Sequence, residues 1–166
     1  NMTHGGVNNE LRNVMRWMYS GITRCNFIME NKDNIDFTGK NKIIAEAKFL
    51  RAFYYFELVK FFGDIPLVID QRIGAEEVTQ IERAPKAEVY AQIESDLTSA
   101  IPDLDLISLM KGRASKGAAQ SLLGKVYLYQ NKFSEAATTF DEVINSGAYA
   151  LINDYSQLFS VASENN

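Results

Sequence analysis

The chain has 166 residues, 46% of them hydrophobic and 23% charged, which is the length and composition of a single globular domain. Its formal net charge of −4 argues against a nucleic-acid partner, because there is no basic excess to neutralise phosphates. The lone cysteine excludes a disulfide within the chain, and no apolar run reaches the roughly 18 residues that a membrane helix needs.

The first predicted helix runs from about Asn9 to Glu30. Its apolar residues follow one another at steps of three and four, which places them on one helical face that we expect to be buried. Cys25 belongs to this face and does not follow an apolar signal, so we interpret it as a small buried thiol and not as a lipid-anchor cysteine. The predicted face consists of Leu11, Met15, Met18, Ile22, Cys25 and Met29.

An aromatic helix is predicted from Ile43 to Phe62, after a loop of turn-forming residues at 31–41 in which Asn41 can cap the helix. Gly63 and Pro66 are expected to end it. Because apolar residues occur on most of its sides, we expect neighbouring elements to cover it and its aromatic side chains to be core. Those side chains are Phe49, Phe53, Tyr54, Tyr55, Phe56, Phe61 and Phe62.

Residues 67–84 are predicted to be extended or irregular. A third helix then begins at Pro85, which suits the first turn of a helix, and ends at Pro102. This helix and the aromatic helix could form a pair joined by a long excursion of the chain. The core positions of the third helix are predicted at helical spacing, at Val89, Ile93, Leu97 and Ala100.

The last two predicted helices, at about 116–130 and 135–146, have the spacing of a tetratricopeptide repeat (TPR). Small residues at Gly124 and Ala136 would let the two helices approach closely, with aromatic rings around them. Gln120 stands where the repeat usually has tryptophan, and Ala148 stands near the usual proline. The repeat positions are Leu123, Gly124, Tyr127, Phe133, Ala136 and Phe140, and the predicted caps are Ser115, Asn131, Ser134 and Gly147.

No residue pattern predicts catalysis, a cofactor or a metal site. The chain has one histidine and one cysteine, and Asp103 and Asp105 lack the glycine and the closing glutamate of a calcium loop. Glu46 and Glu57 are the acids that lie in or near the aromatic helix, and we expect them to pair with Lys60, Arg51 or backbone groups. We expect Arg51 in turn to satisfy a neighbouring acid or carbonyl. The chain is therefore predicted not to be an enzyme.

Three aromatic residues are candidates for stacking against a ligand. Trp17 lies off the main apolar face of the first helix, and Tyr149 and Tyr155 follow the last helix in a predicted loop. Carbohydrate-binding sites often stack a sugar ring on an exposed aromatic face, although for each of these three residues the sequence favours a role other than ligand contact.

The string EAKFLRAFYYFELVKFFGDIPLV at residues 46–68 closely resembles the signature of the SusD/RagB-like family of nutrient-binding outer-membrane lipoproteins. Weaker similarities lie on both sides of it. They are W-x-Y-x-x-I-x-x-x-N from Trp17 to Asn26, the pair Asp96 and Leu97 at the end of an acidic helix, GRASKGAA at 112–119, and SENN at 163–166.

The resemblance implies an all-α, TPR-like helical-repeat scaffold, an αα superhelix with long irregular connections, in which residues 1–166 form one helical domain and 116–147 a TPR-like hairpin. It implies the N-terminal part of a longer, non-catalytic protein that binds an oligosaccharide or other nutrient. The implied partner is a SusC-like TonB-dependent transporter, and the implied location is the cell outer membrane, reached only through a lipid anchor. A TPR-type scaffold for protein–protein interaction is the alternative.

Overall fold

Five α-helices make up most of the described part of the chain in this computed structural model. The structure describes residues 8–69, 72, 76, 80–151, 155 and 156. The chain divides into two compact units, one up to Asp103 and one from Leu104 onward. The predicted all-α class is confirmed, and the organisation of residues 1–166 as one domain stays a prediction.

Helix α1 runs from Asn9 to Asn31, close to its predicted bounds. The Asn8 side chain caps it, with Oδ1 accepting hydrogen bonds from the backbone N–H groups of Glu10 and Leu11 at 2.9 and 3.1 Å. Only the C-terminal half of the predicted face is fully buried, at Ile22, Cys25 and Met29. Leu11 is exposed, so the prediction of a buried face was wrong at its first position.

Helix α2 runs from Lys40 to Phe62 and ends where the sequence predicted. Gly63 follows with a positive φ of 67°, and its N–H donates to the Val59 carbonyl. The predicted cap at Asn41 was wrong, because the helix begins one residue before it. Gly39, with a φ of 91°, turns the chain into the helix there without any side-chain cap.

Helix α2 packs against α1 on one side and against α3 (Lys86–Ala100) on another. Those contacts bury alanines together with two of the seven aromatic residues, Tyr55 and Phe56. The expectation that all seven are core was wrong: Phe53 is 38% exposed and Phe61 is 63% exposed. The described helices α1 and α3 cover two flanks of α2, and Leu50, Phe53 and Phe61 lie on the remaining flank.

Helix α3 is the partner that the sequence assigned to the aromatic helix, and its four predicted core residues are buried. Pro85 precedes it, and the Asp64 carboxylate accepts a hydrogen bond from the Lys86 N–H at 2.8 Å, which satisfies one of the open donors of the first turn. An antiparallel bridge joins Ile65 to Ala84. A short 3₁₀ turn, Ile101–Asp103, follows α3 at the predicted Pro102.

The second unit contains the predicted helical hairpin, with α4 at Lys116–Tyr129 and α5 at Phe133–Asn145. The Ser115 hydroxyl caps α4 by accepting the Ala118 N–H at 3.2 Å, as predicted. The predicted Ser134 cap was wrong, because α5 begins one residue earlier. A left-handed Asn131, with a φ of 60°, completes the tight turn so that Lys132 occupies the cap position.

The hairpin is packed as the repeat spacing predicts. A Cβ atom added to Gly124 would lie 2.7 Å from the Phe140 ring, so only glycine allows this ring to sit against α4. Gln120, at the position that usually holds tryptophan, is buried and donates from Nε2 to the Glu142 carboxylate at 2.6 Å. A polar link between the two helices therefore takes the place of the missing aromatic contact.

Candidate functional site

The segment that leaves α2, residues 64–69, is held by side chains from the helices around it, and we call it the strap. The Tyr19 hydroxyl of α1 donates to the Pro66 carbonyl at 2.6 Å. The Tyr55 hydroxyl of α2 donates to the Val68 carbonyl at 2.6 Å and accepts the Val68 N–H at 2.8 Å. Side-chain hydroxyls of the helices thus bind the strap through its backbone N–H and carbonyl groups.

Two further side chains continue this arrangement along the strap. Asn26 of α1 donates from Nδ2 to the Val68 carbonyl at 2.9 Å, and its Oδ1 accepts from Arg51 Nη1 at 2.9 Å. The same Arg51 nitrogen also donates to the Ile69 carbonyl. Because both carbonyls are partly buried, these donors replace hydrogen bonds that solvent would otherwise supply.

The Arg51 charge is balanced by Asp96 of α3. Nε and Nη2 of the guanidinium donate to the two carboxylate oxygens at 2.8 and 2.7 Å, a bidentate ion pair that is buried on both sides. Gln92 donates to the same carboxylate at 3.1 Å. The four residues that bind the strap, together with Asp96, which binds Arg51, are called the clamp: Tyr19, Asn26, Arg51, Tyr55 and Asp96.

Burial strengthens the preference of the clamp hydroxyls for the protonated form. It raises the pKa of Tyr55 to about 12 and raises the pKa of Tyr19 as well, because a charged phenolate would be poorly solvated there. Both hydroxyls therefore remain protonated donors at neutral pH. Burial also raises the pKa of the Cys25 thiol, to about 11. Every one of these groups is stabilised in its neutral, unreactive form.

The clamp positions a backbone segment and is not arranged for chemistry. Its one acid is tied to its one base, and its polar atoms face each other or the strap. Among the described residues no buried side-chain nitrogen or oxygen lacks a hydrogen-bond partner. The prediction that Arg51 satisfies a neighbouring acid or carbonyl is confirmed, and the structure shows that it does both. The sequence did not identify Asp96 as that acid, although Asp96 belongs to one of the family-like motifs.

The two predicted acids of α2 lie at different depths. Glu57 pairs with Lys60 at 2.6 Å, as expected, and both side chains are partly accessible to solvent. Glu46 is buried, and its predicted pairing stays a prediction. Within the described residues, no group of three or more histidine, cysteine, aspartate or glutamate side chains could hold a metal ion.

The three predicted ligand contacts occupy different settings. Trp17 is 66% exposed on α1. Tyr149 covers Gly117 at the start of α4, and its hydroxyl donates to the Leu106 carbonyl at 2.8 Å and lies 3.1 Å from the Ser115 hydroxyl, so it has a packing role. Tyr155 is 72% exposed. Phe61 of α2 is as exposed as Trp17 and was missed, because the sequence pattern assigned it to the core.

Comparison with known proteins decides the family. The family model described as starch-binding and associating with the outer membrane, named SusD-like, matches residues 3–128. The chain belongs to the SusD-like family. Over 164 residues, 96% of its length, it is 34% identical to SusD-like protein P2 of Formosa agariphila. It is 27% identical over 161 residues, 90% of its length, to the starch-binding protein SusD of Bacteroides thetaiotaomicron.

Solved structures agree with this assignment. A laminarin-binding SusD-like protein superimposes with a TM-score of 0.87 at 37% identity, over 93% of this chain and 36% of that one. The predicted TPR-like fold of the SusD-like chain is thereby confirmed. The matched regions make up 32% of the Formosa protein and 28% of SusD, so the chain spans about a third of the length of these relatives.

The clamp joins residues from three of the family-like motifs. The family-like motifs lie far apart in the sequence, at Trp17–Asn26, 46–68 and Asp96–Leu97. The structure brings their polar residues together around the strap.

No helix in the described part of the chain is long and apolar enough to cross a membrane.

Proposed function

We propose that this SusD-like chain is part of a cell-surface subunit that binds a glycan and passes it to a TonB-dependent outer-membrane transporter, without catalysis. The observation that carries the proposal is the convergence of the family motifs on one buried clamp. The chain matches the SusD-like family model over residues 3–128, and its relatives include proteins named as starch-binding and laminarin-binding.

The glycan contact is proposed at the exposed aromatic rings and not at the clamp. A sugar ring presents an apolar face that stacks on an accessible aromatic ring, and Trp17 and Tyr155 offer such rings. Tyr149 presents only part of its ring, because its hydroxyl and one edge pack on α4. Trp17 is therefore the first residue to test.

The test uses the whole gene product that contains this sequence, in affinity gel electrophoresis against starch, laminarin and other glycans. A Trp17→Ala variant is expected to lose about fivefold in affinity for the bound glycan, since an aromatic contact contributes about 1 kcal/mol. Phe61→Ala is the matched control, because it removes an equally exposed ring that is outside the proposed contact. Unchanged migration of the protein in every glycan-containing gel would refute the proposal.

Two further readouts test the remaining parts of the proposal. Purification from membranes is expected to recover a barrel transporter together with the protein, whereas its absence from the complex would contradict the partnership. Prolonged incubation with the bound glycan is expected to release no new reducing ends. Release that depends on the protein would show a hydrolase instead.

A TPR-type interaction scaffold is the second candidate, favoured by one observation. The hairpin α4–α5 leaves Tyr129 and Phe133 exposed near its turn, as a surface for a protein segment would require. This candidate predicts that Tyr129→Ala and Phe133→Ala abolish a protein contact and leave glycan affinity unchanged.

A further inference from the structure

Four of the five residues at 106–110 are apolar and exposed, and we call this segment the apolar tip. It belongs to the second unit and lies between the 3₁₀ turn and α4. Leu109 is 94% exposed and Met110 is 64% exposed, and Leu106 and Ile107 are exposed beside them. Single exposed apolar residues are common, but a contiguous group of them marks a surface that contacts an apolar neighbour.

The backbone of the apolar tip is held by hydrogen bonds within the second unit. The Tyr149 hydroxyl donates to the Leu106 carbonyl at 2.8 Å, and the Arg113 N–H donates to the Met110 carbonyl at 3.3 Å. The Met110 N–H donates to the Ser108 hydroxyl at 3.3 Å. Backbone groups that enter an apolar medium need such partners, because the medium supplies none. The apolar tip can therefore leave water without leaving these three groups unpaired.

Basic residues follow the apolar tip directly. The segment 106–116 contains three of them, Lys111, Arg113 and Lys116, and no acidic residue. Lys111 and Arg113 are exposed. The chain as a whole has a formal net charge of −4, so this positive segment is opposite in sign to the rest of the molecule. An anionic surface would therefore repel most of the molecule and attract this part of it.

The size of the apolar tip favours a lipid surface over a protein as its partner. A stable protein interface takes about 20–30 residues from each side and buries about 800 Å² of each partner. The apolar tip offers four apolar side chains on one short segment. A lipid surface needs no complementary pocket, because affinity for it grows with the apolar area inserted and with the number of cations that meet anionic headgroups.

We propose that the apolar tip inserts into a membrane surface that carries anionic phospholipid headgroups. Leu109 and Met110 enter the boundary between the headgroups and the acyl chains. Lys111 and Arg113 lie at the level of the phosphates, since long basic side chains keep their apolar stems beside lipid and their charges in water. This contact is separate from the proposed glycan binding and from the lipid anchor that the family resemblance implies.

A tryptophan placed in the apolar tip reports insertion directly. The chain has one tryptophan, so Trp17→Phe/Leu109→Trp moves the only one in the 166-residue chain to the tip. We expect its emission to shift to shorter wavelength when phosphatidylglycerol vesicles are added, and brominated lipids to quench it. The matched reporter Trp17→Phe/Ile35→Trp places the tryptophan at an exposed apolar position of the first unit, and its emission is expected not to shift.

Vesicle flotation measures the contribution of the apolar side chains. Leu109→Ser/Met110→Ser is expected to lower the partition coefficient onto phosphatidylglycerol vesicles by about tenfold or more, because two apolar side chains no longer enter the lipid. The control Ile35→Ser/Phe61→Ser removes two side chains that are 62% and 63% exposed and should leave the coefficient unchanged. Circular dichroism checks folding; should either variant fail to fold, the tryptophan reporter still decides.

Charge reversal tests the choice of lipid. The parent chain is expected to bind phosphatidylglycerol vesicles about tenfold more tightly than phosphatidylcholine vesicles, and high salt should reduce this difference. Lys111→Glu/Arg113→Glu is expected to abolish the preference. The control Lys86→Glu/Lys125→Glu makes the same change in net charge at exposed residues elsewhere and is expected to retain it.

Three results would overturn the proposal. They are an unshifted emission of the tip tryptophan with vesicles, equal binding to the two lipids, and an equal loss of binding in the serine control. A shift caused by the co-purified transporter but not by vesicles would also overturn it, and would assign the apolar tip to a protein interface. None of these outcomes bears on glycan binding at Trp17, which is measured separately in the whole gene product.

Discussion

Arg51 shows most clearly what the family motif does at the scale of single residues. It joins α1, α2, α3 and the strap through Asn26, Asp96 and the Ile69 carbonyl. The sequence predicted that Arg51 would satisfy an acid or a carbonyl, because an arginine inside an apolar helix must be paired. The sequence pattern could not identify the partners of Arg51, because Asp96 lies 45 residues from it along the chain and only tertiary folding brings the two side chains together.

Breaking the buried ion pair is expected to be costly. Asp96→Ala leaves the Arg51 guanidinium without its counter-charge and should lower the free energy of unfolding by about 3–5 kcal/mol. Urea denaturation, monitored by circular dichroism, measures this change in the free energy of unfolding. The double variant Arg51→Met/Asp96→Leu should lose less unfolding free energy than Asp96→Ala alone, because no unpaired buried charge remains. A larger loss of unfolding free energy in the double variant would show that the ion pair itself stabilises the fold.

The buried thiol of Cys25 predicts a specific loss of stability in alkali. Burial raises its pKa from 9.0 to about 11, so between these values the unfolded chain releases the proton while the folded chain keeps it. The folded state then binds more protons, and the free energy of unfolding falls as pH rises from 9 to 11, by about 2 kcal/mol at most. Below pH 9 this contribution is fully present.

Cys25→Ala is the control for this prediction, because it removes the titrating group. Its unfolding free energy should decrease less than that of the parent chain between pH 9 and 11. Identical decreases in the two proteins would mean that the thiol does not contribute. The clamp tyrosine Tyr55, whose pKa is also raised, acts in the same direction but at higher pH, between 10 and about 12.

At the scale of elements, the helices were predictable and their exact starts were not. Periodicity and the breakers Gly63 and Pro85 predicted α1 to α5 to within two or three residues. The caps at Asn41 and Ser134 were wrong because the chain turns at residues with positive φ, Gly39 and Asn131, and each helix begins soon after that turn. A local capping rule does not include such turns.

The aromatic residues of α2 show a second limit. All-round apolarity predicted burial, yet Phe53 and Phe61 are exposed on the flank that neither α1 nor α3 covers. Apolar composition indicates that a surface needs a neighbour, but it does not indicate which neighbour or where that neighbour comes from in the chain.

Gly124 provides the test of the helical hairpin. Alanine normally favours a helix over glycine by about 1 kcal/mol, but here its Cβ would lie 2.7 Å from the Phe140 ring. We expect Gly124→Ala to lower the free energy of unfolding by about 1–3 kcal/mol through overpacking. Thermal and urea unfolding report the change.

The matched experiment repeats the substitution in a Phe140→Leu background, where the ring is gone. There Gly124→Ala should be neutral or stabilising by about 1 kcal/mol, in line with its helix propensity. The same destabilisation in both backgrounds would show that Phe140 is not what requires glycine. This reversal of sign separates packing from backbone effects.

For the whole molecule, sequence and structure contribute different parts of the account. The family, the all-α class and the TPR-like hairpin followed from motifs and spacing, because these depend on local patterns. The clamp did not, since it is assembled from residues of separate segments. The candidate ligand residues Trp17, Tyr149 and Tyr155 stay predictions, and the structure shows that the first and the last are well exposed.

The central claim is that the family signature builds the scaffold through the clamp, whereas the glycan is bound elsewhere. The most direct test is the glycan affinity of a Tyr55→Phe variant of the whole gene product, measured while the protein is folded. Loss of the hydroxyl removes two hydrogen bonds to Val68 and should lower the unfolding free energy by about 1–3 kcal/mol. The account predicts an unchanged glycan dissociation constant. A folded variant with an affinity reduced tenfold or more would place the signature helix in the binding site and contradict the account.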